Sequence, residues 1–382
     1  MNCLDIKDLF DYAVQIRRQL HQYPEVGFDL PRTVSLVAKE LSAMGIESTD
    51  RYGKGSLVAE IGEGSTCIAL RADMDALPVE EKTDLPYCSR IPGQMHACGH
   101  DAHTAILLAV AKHLKAREAE LPCRVRFVFQ PSEEGAVSGA RMMVDHGVME
   151  GVDHILCTHC DNDLEAGVIG TCAGDYMAAC IPATVRFLGR TAHATLPEKG
   201  IDAVAMAVEA YGEMKAAVIE EAGGVTPYRW CVGRFAGGQV HNVIADCCEM
   251  DISFRFYDMD FAARVEGRVR EICNAIAARF GGGVEITWKM STVNVYNDPA
   301  VTARFETALQ AAGLSLAAMP QRMSSEDFAW YLQKKPGMIF RFGTRNEDEG
   351  CTALAHRNDF KIDETGMRAA ICAFVAYVIQ YK

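Results

Sequence analysis

The chain has no apolar run approaching the length of a bilayer-crossing helix, so no membrane span is expected. It is also short of positive charge. Lys plus Arg number 38 against 51 Asp plus Glu, a net charge of -13, and the average field of such a protein repels phosphates and acidic membranes. Neither a nucleic acid nor a membrane is therefore expected as a partner. No basic segment followed by an apolar stretch stands in Met1-Asn2-Cys3-Leu4-Asp5-Ile6-Lys7, which reads as a cytoplasmic start. Linkers rich in Pro or Ser, internal repeats and low-complexity tracts are missing as well.

Cysteine is what the chain has in quantity, with 15 in 382 residues. The number is odd and a chain this long needs no disulfide stapling, so these read mostly as reduced core residues of a reducing compartment. The length suggests two domains. The hydrophobic content of 49% and charged content of 23% are those of a soluble globular protein.

Periodicity predicts helices over residues 4–20, 32–44, 101–115 and 139–146. Strands are expected over 56–61, 67–73, 124–130, 154–159 and 338–342. Strands alternating with helices argue for an α/β sheet carrying its site at strand ends. Between about residues 181 and 290 the order becomes strand 181–188, helix 201–222, strand 229–235, strand 247–256, helix 261–280 and strand 284–289. This βαββαβ order is the ferredoxin-like arrangement. It reads as a domain of residues 181–290 inserted into a catalytic domain of residues 1–180 and 291–382.

Met95-His96-Ala97-Cys98-Gly99-His100-Asp101-Ala102-His103 sets a thiol and an imidazole two residues apart, bent by glycine and followed by a helix. Alone, Cys98 reads equally as a buried structural thiol and His100 as a helix-start residue. Glu133-Glu134, His159 and His356 each follow an apolar run, however, so four strand ends deliver metal-type donors, the pattern of a two-metal hydrolase. Adjacent carboxylates in non-helical backbone point apart, so one of Glu133 and Glu134 can face a metal and the other its bound water, as amide hydrolysis requires. Arg71-Ala72-Asp73-Met74-Asp75 places two further carboxylates at the exit of a buried strand. His96, His103, His113, His146 and His154 read as structural or surface residues.

Cys157-Thr158-His159-Cys160 spells a C-x-x-C that would suit a redox pair or a zinc knuckle, but no second C-x-x-C completes a four-ligand site. An H-x-E with P-C-x-x-C is also missing, which disfavours a nucleobase deaminase.

These stretches carry a resemblance that runs nearly end to end. Together with His21-Gln22-Tyr23-Pro24-Glu25, Gln130-Pro131-Ser132-Glu133-Glu134-Gly135, Ala192-His193-Ala194, His241-Asn242-Val243-Ile244-Ala245-Asp246, Ser325-Glu326-Asp327-Phe328 and Ala355-His356, the sequence resembles the dinuclear-metal aminoacylase and carboxypeptidase family. The similar branch holds hippurate hydrolases, N-acyl-amino-acid amidohydrolases and auxin-conjugate hydrolases. The resemblance implies a zinc-peptidase-like catalytic domain with a mixed sheet flanked by helices, and two divalent ions, Mn²⁺ or Zn²⁺, on Cys98, His100, Glu134, His159 and His356. It also implies a metal-bridging hydroxide served by Glu133 as general base, and a homodimer formed through the smaller lid domain.

His193 could donate to the oxyanion of the tetrahedral intermediate. Arg255 and Asn242 could hold a substrate carboxylate, for which a guanidinium fork is suited; Arg255 reads also as an ordinary strand arginine. The resemblance supports all three roles. The expected substrate is a small N-acyl or N-aroyl amino acid. A dipeptide cleaved by the same centre, metal binding without turnover, and redox chemistry at Cys157 and Cys160 are the alternatives. The sequence departs from the family where His159 is followed by Cys160-Asp161-Asn162-Asp163 instead of an apolar residue, Trp and Pro. Asp161 and Asp163 could favour a cationic acyl part or a dipeptide ammonium, or could belong to a solvated loop.

Overall fold

The computed structural model describes residues 7–381, so residues 4–6 of the expected first helix lie outside the described residues. The chain forms two compact units. The larger takes the described residues up to Gly174, Tyr296–Pro320 and the described residues from Asp327 onward; the smaller takes Asp175–Val295 and Gln321–Glu326.

Eight strands make the sheet of the larger unit, in the spatial order Ser48–Thr49, Leu57–Ile61, Arg124–Gln130, Cys67–Asp73, His154–Glu165, Gly337–Arg345, Val168–Thr171 and Ser315–Ala318. The four from Arg124–Gln130 to Gly337–Arg345 run parallel, and the remaining pairings make the sheet mixed. All seven residues of Cys67–Asp73 are buried, as a central parallel strand requires when both faces are covered. Helices His100–Lys115 and Gly366–Ile379 are buried along nearly their whole length. The second of these, with Pro299–Ala311 and the short strands 168–171 and 315–318, goes beyond the elements expected from periodicity. A helix apolar on every side has no amphipathic stripe to announce it.

Two local differences have plain causes. The strand expected over residues 154–159 runs to Glu165, because Asp161 and Glu165 keep pairing with Gly343 and Arg345 of the neighbouring strand. His159 is thus inside a strand and does not close one. The helix expected from residue 201 starts at Ala203, because the Asp202 carboxylate accepts the Val204 and Ala205 N–H groups and caps it.

In the smaller unit, Ala179–Leu188, Ala203–Ala222, Tyr228–Gly237, Cys247–Phe256, Met259–Phe280 and Gly283–Trp288 follow one another as strand, helix, strand, strand, helix, strand. The strands pair antiparallel, in the order Gly283–Trp288, Ala179–Leu188, Cys247–Phe256, Tyr228–Gly237. Ala179–Leu188 and Cys247–Phe256 alternate between buried and more open residues, and their buried side meets the two helices through Phe187, Phe254, Phe256, Met206 and Phe261.

Candidate metal centre

The site of the larger unit gathers where the parallel strands Cys67–Asp73 and Arg124–Gln130 end. Gly99 turns the chain into helix His100–Lys115 at φ +83°, and a Cβ there would run into Cys160 Sγ, so glycine lets the segment approach strand His154–Glu165. Donor atoms of Cys98, His100 and His159 lie within 4.8 Å of one another, as do those of Cys98, Glu134 and His356, and those of His100, Glu133 and Glu134. All six residues expected as metal ligands or base are therefore brought together.

The backbone is strained to achieve this. Among the described residues only two that are not glycine have positive φ, Ser132 at +51° and His356 at +70°. One precedes Glu133 and the other is itself a donor, and such strain persists only where the surroundings hold it. The Ser132 carbonyl accepts the Gly139 N–H at 2.9 Å, and the His356 N–H donates to the Ala97 carbonyl at 2.8 Å. Asn162 Nδ2 donates to the carbonyls of Ala353, at 2.7 Å, and Lys361, at 2.9 Å, tying the His356 loop to the strand of His159.

Asp75 explains how two adjacent glutamates are aimed. Its carboxylate accepts the Glu133 N–H at 3.0 Å and the Glu134 N–H at 3.1 Å, fixing both peptides. The Glu133 carboxylate accepts the Asp327 N–H at 3.4 Å, while Glu134 Oε1 lies 3.0 Å from His356 Nε2 and 4.0 Å from His100 Nε2. His159 Nδ1 donates to the Cys160 carbonyl at 2.8 Å, leaving Nε2 toward Cys98 Sγ at 3.4 Å. His100 Nδ1 lies 3.4 Å from Asp75, and Nε2 lies 3.7 Å from Asp73.

The electrostatics are those of a cation site. Burial disfavours charge on His100, but Asp73, Asp75 and Glu134 outweigh it and push its pKa up to about 10. Burial, with Arg341 nearby, holds His159 well below the ordinary imidazole range, so it is a neutral donor. Burial, then Glu134, keeps the Cys98 thiol protonated. A divalent ion would displace these protons. Both ring nitrogens of His100 and Oε1 of Glu134 are buried without a partner in hydrogen-bonding geometry, and buried polar atoms are rarely left so. The donor set of thiolate, imidazole and carboxylate fits a bound metal.

Two readings of single residues change. Cys157 and Cys160 stand three apart on one strand, so their side chains leave opposite faces and cannot pair; every cysteine among the described residues is free. Asp161 is buried in the strand rather than solvated in a loop, and its carboxylate accepts the Asp163 N–H at 2.9 Å. Asp163 itself is exposed.

His103, read from the sequence as a structural or surface residue, and Asp73, read as one of two carboxylates at a strand exit, meet beside the candidate ligands. His103 Nδ1 lies 2.7 Å from the Asp73 carboxylate, and its spacing of one helical turn from His100 was the signal available.

His193, Asn242 and Arg255 belong to the smaller unit. His193 and Asn242 are exposed neighbours, with His193 bridged to Val243 and the Ala194 N–H donating to the Asn242 carbonyl at 3.0 Å. Arg255 is half-buried on its strand, and Nη1 donates to Ser325 Oγ at 2.8 Å.

Residues 69–380 match the family Peptidase family M20/M25/M40. The chain is 32% identical over 383 residues to Thermostable carboxypeptidase 1 of Saccharolobus solfataricus, covering 99% of this chain and 97% of that one. It is 34% identical over 368 residues to N-acetyl-L-cysteine deacetylase of Bacillus subtilis, covering 96% and 87%. The crystal structure of a Bacillus subtilis protein described as a dinuclear metal binding peptidase from the M20 family superposes with a TM-score of 0.85 at 32% identity, covering 98% of both chains. The chain belongs to peptidase family M20/M25/M40 and is a metal-dependent amidohydrolase of that family.

Proposed function

We propose that this protein hydrolyses the amide bond of N-acyl or N-aroyl amino acids with two divalent ions, Mn²⁺ or Zn²⁺, held by Cys98, His100, Glu134, His159 and His356. One observation carries the reading: thiol, imidazole and carboxylate donors from separate elements converge within 4.8 Å beside a second glutamate whose backbone is clamped by Asp75. The metals would supply Lewis acidity and a water acidic enough to deprotonate near neutral pH. Glu133 takes the proton from the attacking water and delivers it to the leaving amine. His193 donates to the developing oxyanion, and Arg255 with Asn242 holds the free carboxylate of the amino acid. The similarity to a protein named for deacetylating N-acetyl-L-cysteine supports an acyl-amino-acid substrate.

The smaller unit, which carries His193, Asn242 and Arg255, acts in this reading as a lid and dimerisation domain. It also supports a homodimer. Helix Ala203–Ala222 exposes Val208, Tyr211 and Ile219, and Phe235 is exposed on the edge strand Tyr228–Gly237, whose free side is open to a second copy.

The test is a chromatographic screen of N-acetyl and N-benzoyl amino acids and dipeptides with the protein loaded with Mn²⁺ or Zn²⁺. Release of free amino acid from acyl substrates is expected. Two bound equivalents of metal with no cleavage of any acyl amino acid would refute the proposal, and cleavage confined to dipeptides would replace it with a dipeptidase.

A further inference from the structure

His103 occupies a place that neither ligation nor simple packing accounts for. Its ring packs beside two of the imidazoles at the centre, with centroids 5.4 Å from His100 and 4.6 Å from His159. Both of its nitrogens are taken. Nδ1 is 2.7 Å from Asp73 Oδ1, and Nε2 accepts the Cys160 N–H at 3.0 Å. Asp73 in turn receives Arg71 Nη1 at 2.7 Å, an ion pair that keeps it a carboxylate, so the ring proton sits on Nδ1 and Nε2 is a bare acceptor.

The bonded amide matters because it is part of the His159–Cys160 peptide. Holding it sets the direction in which the backbone carries the His159 ring. His159 Nδ1 then donates to the carbonyl of the same Cys160 at 2.8 Å, which leaves Nε2 toward Cys98. Three elements are joined in this way: strand Cys67–Asp73 through Asp73, helix His100–Lys115 through His103, and strand His154–Glu165 through Cys160. Partners of this kind orient a ligand and tune its affinity without touching the metal.

We infer that His103 is a positioning residue of the metal centre, which bridges the Asp73 carboxylate and the Cys160 amide and thereby fixes the strand segment that presents His159. The inference rests on the proposed ligand role of His159. Glutamine can span both partners, since its amide carries a donor and an acceptor spaced much like the two ring nitrogens. Asparagine is too short to reach both, and phenylalanine fills the space and bonds neither.

The experiment is a Co²⁺ titration of the metal-stripped whole protein, followed by the thiolate-to-Co²⁺ absorption of Cys98 and by elemental analysis. His103→Phe should weaken one of two equivalents about 10-fold to 100-fold, with the other nearly unchanged, and His103→Gln should stay within about threefold of wild type. Should His103→Phe fail to fold, His103→Asn against His103→Gln decides: only the asparagine variant should be weakened. A folded His103→Phe or His103→Asn that binds both equivalents like wild type overturns the inference, as does His103→Gln weakened as much as His103→Asn. Wild type that binds no Co²⁺ overturns it together with the metal-centre reading, whereas wild-type binding with insensitive variants overturns the inference alone.

Discussion

His356 Nε2 lies 3.0 Å from Glu134 Oε1, and the residue that delivers this imidazole holds its backbone in the left-handed region at φ +70°. The imidazole and the carboxylate thus meet at a strained position, and they are two of the donors proposed to hold a metal.

The neighbouring glutamates should therefore separate by role. Glu133→Gln is expected to retain metal and fold while losing about 10²-fold to 10⁴-fold in turnover, because the amide cannot accept the water's proton. Glu134→Gln should instead lose metal. Elemental analysis beside kcat distinguishes them, and the reverse pattern would exchange the assignments.

Cys98→Ala should bind less metal, since an anionic donor is removed from a site where Cys98 lies near both His159 and Glu134. Activity should fall in parallel. Two full equivalents in the purified variant would place the thiol outside the coordination sphere.

The role proposed for His193 bears on assembly. If the histidine serves the partner's site, mixing the inactive variants Glu133→Gln and His193→Ala under subunit exchange should restore part of the activity. Demonstrated exchange without recovery would confine each site to one chain.

The proposed role of Arg255 as holder of a free carboxylate predicts a selectivity. Converting that group of the substrate to a primary amide should lower kcat/KM by an amount on the order of 2 kcal/mol, the lower end for a paired charge in a half-buried setting. Arg255→Ala should abolish the difference between the two substrates. A wild-type enzyme indifferent to the change would return Arg255 to its hydrogen bond with Ser325 as its whole purpose.

His154, away from the candidate centre, should make the fold sensitive to acid. Burial, then Arg304, pulls its pKa from the ordinary 6.5 down to about 4, and its Nε2 meets the Tyr377 hydroxyl at 2.8 Å. Between those values the unfolded chain takes up a proton that the fold refuses. The contribution is whole above pH 6.5 and is lost as pH falls toward 4, about 3 kcal/mol in all. Urea unfolding of His154→Gln at several pH values should show a shallower decline over this window, and an identical decline would assign the acid sensitivity elsewhere.

Local chemistry carried much of what can be read from this chain without coordinates. Buried apolar runs such as Cys67–Asp73 have the composition of parallel strands, and glycine between Cys98 and His100 permits a tight turn. The donor types of Cys98, His100, Glu133, Glu134, His159 and His356 are legible because thiolate, imidazole and carboxylate at the ends of apolar runs have few other uses in that combination. The extent of strand His154–Glu165 was less legible, since polar residues 161–163 look like a loop until Asp161 pairs with Gly343.

Residue type and nearby backbone preference, encoded over a few positions, set which donor types the chain carries and the turns beside them. Packing between distant elements selects which nitrogen of each histidine is offered, makes Asp75 clamp both glutamate peptides, and lets His103 join Asp73 to the Cys160 amide. Those choices depend on hydrogen bonds between elements far apart in the chain. Their partners are set by strand register and helix packing, which no local pattern specifies.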